Sequence, residues 1–194
     1  MAKFSRTYLF LKRAFDIVMS SVALILLFPI LLITAIFIFL YDGHSVIFFQ
    51  NRVGLAGKLF RLYKFRSMVV NAEKLGGYST LDNDSRITPV GRIIRRSSID
   101  ELPQLINVLR GEMSVVGPRP DVLKQKSEYS EDEWLKRLSV KPGITGLAQA
   151  TLRSSASPEQ RKRLDLNYVE QQSMWLDIKI ILLTFRQIVL RGGN

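Results

Sequence analysis

The chain has 194 residues, with 28 lysines and arginines against 17 acids and a net charge of +11. That length suits one domain with an appendage, and the charge points to an anionic partner: a phosphorylated substrate, an acidic lipid headgroup or nucleic acid. With no cysteine and a single histidine, His44, disulfides, thiolate metal sites and multi-histidine sites are excluded, and a Ser-His-Asp triad is disfavoured.

From Ile17 to Leu40 no residue is charged. The run is long enough to span a bilayer. It is too long for a cleavable leader, and no small-residue cleavage motif follows it. Pro29 sits at its centre, where a helix loses a hydrogen bond and kinks. Both flanks are basic: Lys3, Arg6, Lys12 and Arg13 precede it, and Arg52, Lys58, Arg61, Lys64 and Arg66 follow. Basic flanks stay on the cytoplasmic side, so both ends are expected there. A helix-break-helix hairpin that enters and leaves one leaflet meets both conditions; a Pro-kinked spanning helix is the alternative. Arg13 and Asp16 lie three apart on one helical face. They are expected to pair and anchor the segment at headgroup level, or to be ordinary flanking charges. This gives two parts: a membrane-associated residues 1–42 and a cytoplasmic residues 43–194.

Val46 to Phe49 and Leu59 to Phe65 read as two strands of a hairpin around a glycine-bearing turn. Asn71 to Ser85 is polar, with Gly76-Gly77, and reads as a mobile loop after a short helix. Thr88-Pro89 is an N-cap with proline at the first helical position, opening a helix to about Arg96. The next helix starts near Ser98 to Leu102 and runs to Arg110. It has Leu105, Ile106 and Leu109 inward, Pro103 in its first turn and Gly111 as its stop.

That helix start carries the adjacent acids Asp100 and Glu101, just after Arg95-Arg96. One reading is a capping box of Ser98 with Glu101. The other is chemical. Acids near a helix N-terminus are kept ionised by the macrodipole, where phosphate is also attracted. Such a carboxylate can attack a phosphoryl group or hold a metal that bridges phosphates. Further on, two prolines in Gly117-Pro118-Arg119-Pro120 restrict the backbone around one arginine. Lys141-Pro142-Gly143-Ile144-Thr145-Gly146 is a turn-rich loop able to offer backbone N–H groups to an anion. Pro158 to Gln172 reads as a charged helix. Ser173 to Leu190 reads as a final helix with apolar Trp175, Ile178, Leu182, Phe185 and Val189 recurring at three and four. Lys179, Arg186 and Arg191 lie among them. That stripe packs on the core or lies on the membrane surface, with core packing preferred.

Lys12-Arg13-x-x-Asp16, the apolar segment with Pro29, Tyr63 to Met68, Arg95 to Gln104, Gly117 to Pro120 and Lys141 to Gln149 resemble, in this order, the bacterial sugar transferases. More narrowly, they resemble the small monotopic phosphoglycosyl transferases. The resemblance covers about Lys12 to Leu190. It implies a mostly helical α+β fold: a re-entrant membrane helix hairpin broken at Pro29, and a compact catalytic domain with a small β-hairpin and interfacial amphipathic helices. It implies transfer of a sugar-1-phosphate from a UDP-sugar to undecaprenyl phosphate, with release of UMP. The work would take place at the cytoplasmic face of the bacterial inner membrane, as the first membrane step of glycan assembly. Magnesium is implied as cofactor, with Asp100 and Glu101 as metal and catalytic residues. Asp100 would be the nucleophile of a covalent phosphosugar intermediate. Lys64, Arg66, Arg95, Arg119 and Arg153 would bind substrate phosphates, and Arg13, Asp16 and Pro29 would belong to the membrane hairpin. Arg66 stands where the family often has lysine, and Ala150-Thr151-Leu152-Arg153 stands where it tends to read Val-Asn-Gly-Arg.

Two other readings account for less. A membrane-anchored basic binding protein explains the charge and the apolar segment but not the acid pair or the Gly-Pro-Arg-Pro loop. Nor is there a basic-aromatic stripe of the kind that binds single strands, so no nucleic-acid partner is expected. A catalytically inactive partner of a transferase is disfavoured by the intact acid pair.

Overall fold

The computed structural model describes residues 5–75, 84–152 and 157–191. Helix α1 runs Arg6–Asp42, capped by the Ser5 hydroxyl, which accepts from the Tyr8 N–H at 3.1 Å. It ends at Gly43, whose φ of 68° suits a residue without a Cβ. Two strands follow, β1 (Ile47–Val53) and β2 (Leu59–Phe65), paired antiparallel with Phe49 opposite Tyr63 and Arg52 opposite Phe60. Then come α2 (Ala72–Leu75), α3 (Pro89–Arg96), a 3-10 turn at Ile99–Glu101, α4 (Gln104–Arg110) and β3 (Ser114–Val116). The remainder is a 3-10 segment Leu123–Glu128, α5 (Glu131–Arg137), β4 (Gly143–Thr145), α6 (Leu147–Thr151), α7 (Pro158–Gln171) and α8 (Met174–Arg191). The fold is α+β and mostly helical, as expected. A short parallel pair, β3 with β4, was not foreseen.

The core is a series of small apolar clusters beneath the hairpin and between the helices. Phe60, Leu62, Val108 and Met113 form one, and Val116, Ala150, Tyr168 and Ile180 another. Ile38 of α1 joins Phe65 and Ile94 in a third. The Thr88 cap holds, its hydroxyl accepting from the Gly91 N–H at 2.8 Å. In α4, Ile106 faces outward and the buried inward positions are Gln104, Leu105, Asn107 and Val108. Asn107 substitutes for a strand partner at the edge of β2: its amide accepts from the Tyr63 N–H and donates to the Arg61 carbonyl. A buried amide satisfied this way avoids the cost of an unpaired polar group.

Three expectations for the membrane segment and the last helix change. First, α1 keeps helical structure through Pro29 in place of a break; the proline removes one N–H from the ladder, at the Ile25 carbonyl, which bends a helix without ending it. Second, Arg13 and Asp16 do not pair. Arg13 donates to the Val108 and Leu109 carbonyls at 2.6 and 2.8 Å, capping the C-terminus of α4. Asp16 accepts from the Ser114 hydroxyl and the Val115 N–H. Orphan carbonyls at a helix end attract a guanidinium, and that outcompetes a pair three residues away. Third, the apolar stripe of α8 points outward. Trp175, Leu182 and Phe185 are 75%, 63% and 67% exposed, whereas Asp177 and Ile180 are buried. Asp177 faces in because Lys12 of α1 and the Tyr168 hydroxyl both donate to it at 2.7 Å. The side chains of Val189 and Arg191, and residues 76–83 of the polar loop, lie outside the described residues.

Candidate active site

The acid pair sits in a single 3-10 turn, after Ser98 in left-handed conformation with φ 57°. Ser98 makes no side-chain cap, so the expected capping box is absent. Glu101 turns instead to the hairpin and the proline-flanked loop. Strand alternation puts Lys64 on the inner face of β2, and its ammonium donates to Glu101 Oε1 at 2.7 Å. Arg119 donates to the same oxygen, also at 2.7 Å. Both cations share Oε1, which leaves Oε2 available.

The two acids respond oppositely. Burial opposes ionisation of Glu101, but Arg119 and then Lys64 outweigh it and hold the carboxyl far below the usual range. Asp100 is buried and, among the described residues, its carboxylate takes no hydrogen bond. Burial pushes it up to about 6, with Glu101 adding to the push and Lys64, Arg95 and Arg119 opposing it. The expected macrodipole stabilisation is therefore overridden, since a 3-10 turn of three residues supplies little dipole. Asp100 is still ionised for the most part at neutral pH.

Arg119 is aimed by its backbone. Four successive carbonyls of its loop each have a donor. The Gly143 N–H bonds Pro118 at 2.9 Å, Arg137 bonds Arg119, Arg52 bonds Pro120 at 3.0 Å, and the Val53 N–H bonds Asp121 at 2.9 Å. In the Lys141 to Gly146 loop, expected to offer N–H groups to an anion, the Gly143 N–H is engaged in this bracing. The two loops lie so close that a Cβ on Gly143 would come within 2.0 Å of the Gly117 nitrogen. Arg52, Lys64, Gln104, Arg119 and Ile144 line a narrow cleft at this point.

Of the sequence-predicted residues, the fold brings together Asp100, Glu101, Lys64 and Arg119, with Arg95 close enough to act on the Asp100 charge. Arg66 is not part of this group. It pairs with Asp42, clamping the end of α1. Arg153 lies outside the described residues. Arg13, Asp16 and Pro29 belong to α1, as expected. Arg52 was known only as a flanking charge. Ending the first strand at Phe49 hid it, because extending the alternation to Val53 puts Arg52 on the face that holds Lys64.

Among the described residues no three His, Asp or Glu side chains converge as a metal cluster. Mg²⁺, however, is commonly held by one or two carboxylates together with waters and substrate phosphates. Asp100 and Glu101 Oε2 supply hard oxygen donors of that kind, so the pair fits such an ion.

A family model described as bacterial sugar transferase matches residues 7–191. A galactosyl transferase, CpsE, of Streptococcus agalactiae is 46% identical over 164 residues, covering 78% of this chain and 36% of the relative. A UDP-N-acetylgalactosamine-undecaprenyl-phosphate N-acetylgalactosaminephosphotransferase of Aeromonas hydrophila is 40% identical, covering 97% of this chain and 46% of its own length. An uncharacterised sugar transferase, EpsL, of Bacillus subtilis is 44% identical, covering 94% of this chain and 89% of the relative. The chain spans less than half the length of the first two curated relatives.

Proposed function

The chain belongs to the bacterial sugar transferase family, and from that premise we propose that it transfers a sugar-1-phosphate from a UDP-sugar to undecaprenyl phosphate. The observation that carries this reading is the division of labour in the acid pair. Glu101 is held ionised by two cations, which makes it a poor nucleophile. Asp100 is unengaged, its basicity raised by burial, which makes it the better one. The Asp100 carboxylate oxygen attacks the β-phosphorus of the donor. A P–O bond forms there, the bond to the UMP oxygen breaks, and UMP leaves. An oxygen of undecaprenyl phosphate then attacks the same phosphorus and returns Asp100 to its free carboxylate. Lys64, Arg119, Arg52 and Arg95 gather the phosphate charge. Mg²⁺ held by Asp100 and Glu101 would neutralise further phosphate charge.

We infer in addition that α1 enters and leaves the same face of the membrane, and that the catalytic part lies on the cytoplasmic side. Among the described residues α1 alone is long and apolar enough to cross. Its early turns are gripped through Lys12, Arg13 and Asp16, and its end through Asp42. A straight helix of 37 residues is about 55 Å long, more than the ~30 Å hydrocarbon core. A transverse crossing would put its ends on opposite sides, beyond the reach of one domain. The outward stripe of α8 adds further exposed apolar side chains, Trp175, Leu182 and Phe185.

Intact-protein mass spectrometry tests the covalent step. Detergent-purified protein with Mg²⁺ and a panel of UDP-sugars, without acceptor, should gain the mass of a sugar phosphate. Asp100→Asn should gain none and should lose turnover by at least about a thousandfold. An adduct that survives Asp100→Asn would sink the assignment.

A further inference from the structure

Resting on that transferase reading, we propose that Arg137 is a positioning residue that aims Arg119 at Glu101 and the donor phosphates. The Arg119 carbonyl precedes Pro120, in a loop where prolines on both sides remove two main-chain donors. Among the described residues its donor is Arg137. The neighbouring carbonyls are held by main-chain N–H groups or by Arg52, which itself lines the cleft. Arg137 is the side chain that ties the Arg119 carbonyl itself to α5 and α7. It stands on α5, and its guanidinium reaches Asp165 of α7 at 2.9 Å and Asp121 at 3.0 Å. Its side chain is 2% exposed, so substrate does not touch it and it acts only through what it holds.

The geometry explains why an arginine stands there. Three acceptors, two carboxylates and a carbonyl, lie around one planar group with five donors. The ammonium of a lysine has a compact head and cannot span them. The Arg119 carbonyl and side chain share one Cα, so releasing the carbonyl lets the peptide plane turn and the guanidinium swing. A displacement of about 1 Å at a group that meets the reacting phosphate is enough for a loss on the order of a hundredfold. The Asp121 carboxylate, second residue after Arg119, is further fixed by the Tyr129 hydroxyl at 2.9 Å and by Arg161 at 3.3 Å.

The test is a double-mutant cycle on the full chain in detergent, read as donor kcat/KM. Arg137→Lys should lower it tenfold or more. In an Arg119→Ala background the same change should cost less than about twofold, because its effect passes through Arg119. A purely structural role predicts equal losses in both backgrounds, and that result overturns the proposal. If Arg137→Lys fails to fold, Asp165→Asn keeps the shape while slackening one anchor, and the same cycle applies with a smaller loss. A structure of either variant gives a reading independent of turnover. Arg119 displaced from Glu101 supports the assignment, and Arg119 unmoved overturns it. A wild-type chain that releases no UMP from any donor is instead a failure of the transferase reading. The displacement of Arg119 then still decides the role of Arg137.

Discussion

Two clusters of buried charge lie at the two ends of Arg119, and they balance their charges differently. At its guanidinium, Lys64 and Arg119 share one oxygen of Glu101, Arg52 and Arg95 stand nearby, and Asp100 adds a second acid. At its carbonyl, Arg137 and Arg161 meet Asp121 and Asp165, and Glu128 lies 3.6 Å from Arg161, so among the described residues no cation is in surplus. The first cluster is open, with the Arg119 side chain 38% exposed; the second is closed at its centre, with those of Arg137, Asp121 and Asp165 at 2% or less. A closed cluster with no surplus cation fixes geometry and has no room for another anion. An open one with surplus cations is ready for a pyrophosphate. Charge balance and access, more than the number of ion pairs, separate the foundation from the site.

Removing one partner should therefore have different consequences in the two clusters. Asp121→Ala takes one of its two carboxylates from the buried Arg137, which keeps Asp165, and leaves Arg161 to Glu128. Breaking a buried pair in this way costs about 3–5 kcal/mol, which for a chain of this size is a fall in melting temperature of roughly ten degrees. Thermal unfolding in detergent measures it; a fall of a degree or two would mean that water reaches the cluster. Arg119→Ala should do the reverse. Lys64 still partners Glu101, so the melting temperature should barely move. Turnover with donor should drop on the order of a hundredfold, the usual loss when one preorganised charge donor is removed. Equal loss of stability in both variants would erase the distinction.

The sequence made one cluster legible and hid the other, for a physical reason. The acid pair, Lys64 and Arg119 sit beside local signals: a proline in the first turn, strand alternation, two prolines around an arginine. Those signals also gave the hairpin, the Thr88 cap and the long apolar helix. The Arg137 cluster joins Asp121, Arg137 and Asp165, and no short-range pattern links positions so far apart. Arg13 misled for the same reason. Its true acceptors, the carbonyls of Val108 and Leu109, are some 95 residues away, whereas Asp16 is three. The α8 stripe misled because the period identifies a helical face without saying what that face meets. The buried Lys12–Asp177 pair decided which way it turned.

The sharpest remaining distinction lies inside the open cluster, between its two acids. In the proposed mechanism Asp100 attacks as its carboxylate, so donor kcat/KM should rise with pH through about 6 and level off by about 8. Its stability effect has the opposite sense. Its folded pKa is raised, so its contribution is fully present below the ordinary aspartate range and is lost as pH rises towards 6. Glu101→Gln separates the two acids. Glu101 pushes the Asp100 carboxyl up, and its own charge offsets Lys64 and Arg119. Removing that charge takes away the push and leaves both cations acting on Asp100 alone. Whatever activity survives should therefore have its acid limb moved to lower pH, by roughly half a unit to one unit. A limb that moves upward, or stays at 6, would mean that Glu101 does not act on Asp100 through its charge, and the opposite roles given to the two acids would have to be abandoned.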